Sequence, residues 1–167
     1  PFDDYCEPVS ILGRALPSRI IVLRSFTKFY ALPGLRVGHA VAPPAVVQQL
    51  GEQQPPWSVN MLAQRAAMAA LQDDRHRRRS LQFMDRERLR LQRGLERLSG
   101  VRVFPTKANF MLLELPVGHQ ATRVVSVLRR QGLLLRDCAQ VPGLNDRSLR
   151  VAVRTRREND RLLKALS

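Results

Sequence analysis

The chain has 167 residues, 44% of them hydrophobic, which gives room for one ordinary domain or part of a larger one and excludes an intrinsically disordered tail. Basic residues number 28 against 14 acidic, a net +14, yet only Lys28, Lys107 and Lys164 are lysines, so 25 cations are arginine. Aromatics are 5%, too few to interleave with cations as base-stacking platforms, and no apolar run nears the roughly 20 residues of a membrane span, so neither a nucleic-acid partner nor a membrane is expected. Such arginine excess reads as solvated cations first, and each scarce lysine becomes a candidate for chemistry that arginine cannot perform.

The opening, residues 1–18, reads as proline-rich and irregular, and a start at Pro1 within it suggests a missing N-terminal portion. Ile20-Ile21-Val22-Leu23 has the β-branched texture of a buried parallel strand. After Pro33-Gly34, the stretch from Arg36 to Ala42 predicts a second strand, and Pro43-Pro44 starts a short helix to about Leu50. Ser58 is the predicted N-cap of a helix from Val59 to Leu71. A longer helix follows from Asp74 to Ser99, with Leu81, Met84, Leu91, Leu95 and Leu98 on one face and one two-turn gap between Met84 and Leu91.

Beyond Gly100 the texture turns to strands at Val101–Phe104 and Asn109–Leu115, then a helix from Ala121 to Arg130 ended by Gly132. Leu133–Arg136 and Leu149–Val153 predict two more strands, and Arg157 to Leu166 a closing helix. The expected organisation is a large-domain portion over residues 1–73, a bridging helix over 74–99 and a small α+β domain over 100–167.

The informative constellation is Ser25-x-Thr27-Lys28 followed by Pro33-Gly34-Leu35-Arg36-Val37-Gly38. The carboxyl end of a buried strand is where open α/β sheets place ligands. Burial there would favour the neutral amine that forms an imine. Ser25 and Thr27 offer hydroxyls and Arg36 a planar fork for phosphate, so the set describes a pyridoxal phosphate site. Spacing alone leaves open a solvated lysine beside an unrelated surface arginine. Tyr30 and Trp57 read as packing residues, and His39 as a structural histidine. Cys6 and Cys138 have no assigned role.

The run from Ser25 to Gly38 resembles the lysine motif of class I/II aminotransferases, pyridoxal phosphate enzymes of fold type I. Ala108-Asn109-Phe110, Leu149-Arg150-Val151 and Glu158-Asn159 extend the resemblance over nearly the whole chain. Within that superfamily the chain is most similar to the threonine-phosphate decarboxylases of cobalamin biosynthesis, sisters of the histidinol-phosphate aminotransferases. That similarity rests on the residues from Leu23 to Tyr30, on Pro56-Trp57-Ser58-Val59-Asn60, and on Arg136-Asp137-Cys138 with Pro142-Gly143-Leu144.

The resemblance implies an α/β fold: the last part of a fold-type-I large domain plus a small α+β domain. It implies pyridoxal 5'-phosphate as cofactor, with Lys28 as the imine-forming lysine that later carries protons. Ser25 and Arg36 would hold the cofactor phosphate, with Thr27 in support, and Arg150 would grip the substrate carboxylate. Arg136 is a candidate for the substrate's own phosphate or a strand residue facing solvent, and Asn109 a site amide or a structural one. The implied reaction is decarboxylation of threonine phosphate, with transamination of histidinol phosphate as the alternative, in a cytoplasmic homodimer. The family's aspartate toward the pyridine nitrogen would precede Pro1, since Asp3 and Asp4 stand too close to Lys28. The 167 residues alone are therefore expected to be inactive.

Overall fold

The computed structural model describes residues 5, 12, 17 and 19–167; most of the irregular opening, with Asp3, Asp4 and Cys6, lies outside the described residues. The chain divides into two compact units, Pro1–Ser80 and Leu81–Ser167, so the division falls within the long helix. No helix of the described residues is long and apolar enough to cross a membrane.

In the first unit, β1 (Val22–Ser25) pairs with β2 (Gly38–Val41), from Val22↔Val41 to Ser25↔Gly38. The strand expected over Ile20–Leu23 therefore starts two residues later and runs antiparallel to its neighbour, not parallel. The reversal through Pro33-Gly34 returns the chain alongside itself, and that fixes the direction. Leu23 is 71% exposed, because period-two alternation turns it away from the small core. This core is built on Phe26, Val37 and Ala63, with Tyr30, Leu32, Leu35, Val59 and Ala67 packed around it.

Two helices complete the unit. α1 (Pro44–Glu52) starts with proline in its first turn, where the missing N–H costs nothing. α2 (Met61–Gln72) is capped by Asn60, whose Oδ1 accepts from the Ala63 N–H at 2.9 Å. The predicted cap Ser58 is displaced by two residues, since its hydroxyl already accepts from Gln54 Nε2. Trp57 does not pack: it is 96% exposed and its backbone sits at φ +56°, projecting it from the turn after Pro55-Pro56.

α3 (Asp74–Leu95) enters the second unit with Met84, Leu91 and Leu95 buried. Its two-turn gap is filled by Glu87 and Arg88, both buried. Glu87 accepts from Arg90 Nε at 3.1 Å and from Asn159 Nδ2 at 3.3 Å, while Arg88 donates to the Lys107 carbonyl at 3.1 Å. The buried charges are thus paired and hydrogen-bonded, the condition under which they are tolerated.

The second unit holds a four-stranded antiparallel sheet in the order β3 (Arg102–Val103), β4 (Phe110–Glu114), β6 (Ser148–Ala152), β5 (Arg136–Asp137). Met111 and Leu113 of β4 and Leu149 and Val151 of β6 face the core in register, Met111 opposite Val151 and Leu113 opposite Leu149. The alternate residues, among them Phe110, Leu112, Arg150 and Ala152, form the other face. α4 (Ala121–Arg130) ends at Gly132 (φ +74°), with the Leu133 N–H returning to the Leu128 carbonyl at 2.9 Å. That return consumes Leu133, so β5 is shorter than expected. α5 (Arg156–Leu166) opens with a capping box in which Thr155 and Glu158 satisfy each other's backbone donors.

Candidate functional site

The functional candidates fall in two groups, one in each unit. In the first, β1 ends at Ser25 and the chain turns through Lys28. Phe26 and Phe29 are buried anchors on either side of Thr27 and Lys28. Phe29 meets Tyr5, Tyr30 and His76 edge-on at 5.2, 5.1 and 6.0 Å, and His76 Nε2–H donates to the Phe29 carbonyl at 3.3 Å. Tyr30 also stacks on His76 with ring centres 5.8 Å apart, so it packs as expected. His39 lies 5.2 Å from the Phe26 ring, as a structural histidine would.

This aromatic footing leaves Lys28 exposed. The burial foreseen for its amine is therefore absent among the described residues: Phe26 and Phe29 are buried and Lys28 between them is not.

The hydroxyls of Ser25 and Thr27 lie 2.8 Å apart, and the Thr27 N–H donates to Ser25 Oγ at 3.2 Å. The Phe26 N–H reaches the Val37 carbonyl at 3.4 Å, one step past the Ser25↔Gly38 pair; the next residues on each chain are Thr27 and Arg36. Arg36 has φ +52°, an uncommon backbone state that collects at binding sites, and its Nη1 donates to the Pro33 carbonyl at 2.9 Å. Gly38 makes the approach possible. A Cβ there would lie 2.6 Å from the Arg24 carbonyl oxygen.

The second group lies on the open face of the sheet. Arg150 is opposite Leu112 on β4 and opposite Arg136 on β5. Its guanidinium sits 4.7 Å over the Phe110 ring centre, a cation–π contact that orients the fork. Arg136 and Arg150 are exposed, and neither ion-pairs with a carboxylate among the described residues. Two like charges directly opposite across a sheet are unfavourable unless an anion joins them. Asp137, beside Arg136, accepts from the Thr122 hydroxyl at 2.7 Å and the Ala139 N–H at 2.8 Å. These bonds, the Thr122 one foremost, hold its carboxyl below the usual carboxylate range and tie β5 to the first turn of α4. Asn109 stands half-buried at the bend before β4, its carbonyl accepting from the Val153 N–H at 2.9 Å.

Sequence reasoning missed Gly38 as a close-approach glycine and Phe110 as the ring beneath Arg150. Phe110 was readable in principle, being two positions from Leu112 on the strand beside Arg150, the diagonal reach of an aromatic.

Lysine turn, hydroxyl pair and small antiparallel sheet together define the later half of a fold-type-I pyridoxal phosphate enzyme. The profile of aminotransferase class I and II matches residues 5–166, and the chain belongs to that family. Over 148 residues it is 41% identical to a threonine-phosphate decarboxylase of Salmonella typhimurium, a match covering 88% of this chain and 40% of that protein. It is 33% identical over 148 residues to a histidinol-phosphate aminotransferase of Methanococcus maripaludis, covering 89% and 40%. The crystal structure of the histidinol-phosphate aminotransferase from Clostridium acetobutylicum superposes with a TM-score of 0.92 at 28% identity, over 99% of this chain and 51% of that one. That from Sinorhizobium meliloti in complex with pyridoxal-5'-phosphate superposes with a TM-score of 0.78 at 25% identity, covering 98% and 46%.

The chain thus spans about two fifths the length of the curated relatives it matches. The cofactor implied by this membership is pyridoxal 5'-phosphate. The donor set fits it: adjacent hydroxyls, a guanidinium and a free-standing amine suit a phosphorylated aldehyde.

Proposed function

We propose that this chain supplies the lysine, the cofactor-phosphate donors and the substrate-binding arginines of a pyridoxal phosphate-dependent enzyme that decarboxylates threonine phosphate to aminopropanol phosphate. The observation that carries this reading is the Arg136↔Arg150 pair on one exposed sheet face. Threonine phosphate presents two anions, a carboxylate and a phosphate, and so answers two adjacent guanidiniums. Histidinol phosphate, the substrate of the alternative transamination, presents one. Identity to a threonine-phosphate decarboxylase supports the same choice. A cytoplasmic homodimer and a place in cobalamin biosynthesis belong to this reading through the family alone.

Pyridoxal phosphate, when bound, supplies an electron sink for the pair left at the substrate's α-carbon. The chain's own residues do the rest. Ser25, Thr27 and Arg36 would hold the phosphate as hydrogen-bond donors, the two hydroxyls standing 2.8 Å apart at the end of β1. Lys28 Nζ would be the amine that holds the cofactor and would carry a proton to or from the substrate's α-carbon. Arg150, steadied on Phe110, would grip the carboxylate and so orient the bonds at the substrate's α-carbon. Arg136 would take the substrate phosphate, and Asn109, half-buried before β4, would be a further site amide.

The test uses the family-length polypeptide carrying this sequence. With threonine phosphate it is expected to release carbon dioxide, and Arg136→Ala and Arg150→Ala should each lose about 1.5–3 kcal/mol of transition-state binding, roughly 10- to 150-fold in kcat/KM. A keto acid in place of carbon dioxide would overturn the reading in favour of transamination. The 167 residues alone should show no turnover.

A further inference from the structure

A second anion-binding place lies outside the lysine turn and the sheet face. We propose that the groove between α3 and α5 binds a polyphosphate anion, the chemistry shared by nucleoside triphosphates and inorganic polyphosphate.

Arg86, Arg90 and Arg93 recur at intervals of four and three residues, within about 60° of arc at 100° per residue, and rise roughly 10 Å along one face of α3, and Arg97 follows in the turn just past its last residue. Arg156, at the start of α5, joins them around one concavity of about 690 Å³. The groove exists because of Gly94. An added Cβ there would lie 2.5 Å from Leu163 Cδ1, so α5 seats its leucine on the bare backbone of α3. Leu163 and Leu89 make an apolar floor, and the arginines make the walls.

Acidic partners account for only part of this charge. Arg90 is held by Asp160 and Glu87, and Arg86 lies 3.6 Å from Glu87. Arg93, Arg97 and Arg156 make no ion pair among the described residues. Three uncompensated guanidiniums in one concavity of ligand size are complementary to several linked phosphates, since each fork can take two oxygens. The apolar floor suits a nucleobase. Because the cations are exposed, binding must weaken as salt screens it.

The experiment is calorimetric titration of the family-length polypeptide carrying this sequence, at about 50 mM salt, with tripolyphosphate, ATP and inorganic phosphate as probes. The groove variant Arg93→Glu/Arg97→Glu is compared with Arg129→Glu/Arg130→Glu, an equal charge change in the last turn of α4. The site predicts a loss of roughly tenfold or more in tripolyphosphate affinity for the first and under about twofold for the second. ATP binding tighter than tripolyphosphate points to a nucleoside triphosphate on the leucine floor, and equal binding points to inorganic polyphosphate; both keep the site. Equal losses in the two variants would overturn it, reducing the effect to the diffuse +14 charge. So would a single-stranded oligonucleotide that outcompetes both probes. If the double variant melts early, Arg97→Gln and Arg156→Gln are read in its place against Arg130→Gln.

Discussion

Gly38 carries no side chain, and the pairing beside the lysine turn depends on that. An added Cβ would meet the Arg24 carbonyl oxygen at 2.6 Å, and this neighbour is backbone, which cannot rotate away. Gly38→Ala should therefore push β2 from β1 at the Ser25 pair and cost about 1–3 kcal/mol, read as a lower urea midpoint; an unchanged midpoint would remove the close approach from the account of the turn. A second residue-scale comparison concerns the cap of α2. Asn60→Ala should lose about 1 kcal/mol, whereas Ser58→Ala should be close to neutral. Both are good cap types two positions apart, and the sequence cannot say which is in use. The deciding facts are a competing bond from Gln54 to Ser58 and the extended backbone at Asn60 (φ −66°, ψ 155°). The same limit applies at the site: the chemistry of Lys28, Arg36 and Arg150 was readable as residue type and spacing. The ring under Arg150 and the exposure of Lys28 emerge only when strands are paired and anchors buried.

At the scale of elements, most helices were legible nearly to their ends because a 3.6-residue period spans many turns; α4 runs from Ala121 to Arg130 as the pattern and its closing glycine imply, whereas α3, expected to reach Ser99, ends at Leu95 where the chain turns toward Gly100 (φ +71°). Short strands were not. The run Ile20–Leu23 has the composition of a buried strand, yet composition does not name a strand's partner or its direction, and the two-residue β5 offers no period at all. α3 shows what a periodic reading leaves blank: its missing turn is filled by charge. Glu87 is 3% exposed and serves both Arg90 and Asn159, and Asn159 in turn accepts from the Arg154 N–H at 2.9 Å and donates to the Arg154 carbonyl at 2.8 Å. Glu87→Ala removes one of the two acidic partners of Arg90 and one acceptor of the buried Asn159 amide. It should destabilise the second unit by about 2–4 kcal/mol, and a double-mutant cycle with Asn159→Ala should return a coupling of about 0.5–3 kcal/mol. Strict additivity would mean that the two side chains do not act together.

For the molecule as a whole, the balance of 28 cations against 14 acids makes acid the vulnerable side. Each carboxylate that takes up a proton raises a net charge already at +14, and self-repulsion opposes the compact state. Among the described residues, two carboxylates are held low in the folded chain. Glu158 is lowered to about 2, chiefly by the Thr155 hydroxyl and then by Arg154, and Asp137 is lowered by Thr122 and the Ala139 N–H. Groups depressed on folding contribute stability that is fully present above their unfolded pKa of about 4 and is lost as pH falls through the folded value. For Glu158 the window runs from about pH 4 to about pH 2. Thr155→Ala removes both the cap and the foremost bond to that carboxylate, so it should lower stability by about 0.5–2 kcal/mol at pH 7. The deficit should shrink steadily below pH 4, as the wild-type chain protonates Glu158 and loses what the variant never had. Thermal unfolding of both chains at pH 7, 4 and 2.5, repeated at high salt to screen the self-repulsion, measures this directly. A gap that stays constant across the three pH values would confine Thr155 to backbone capping and leave Glu158 out of the acid transition.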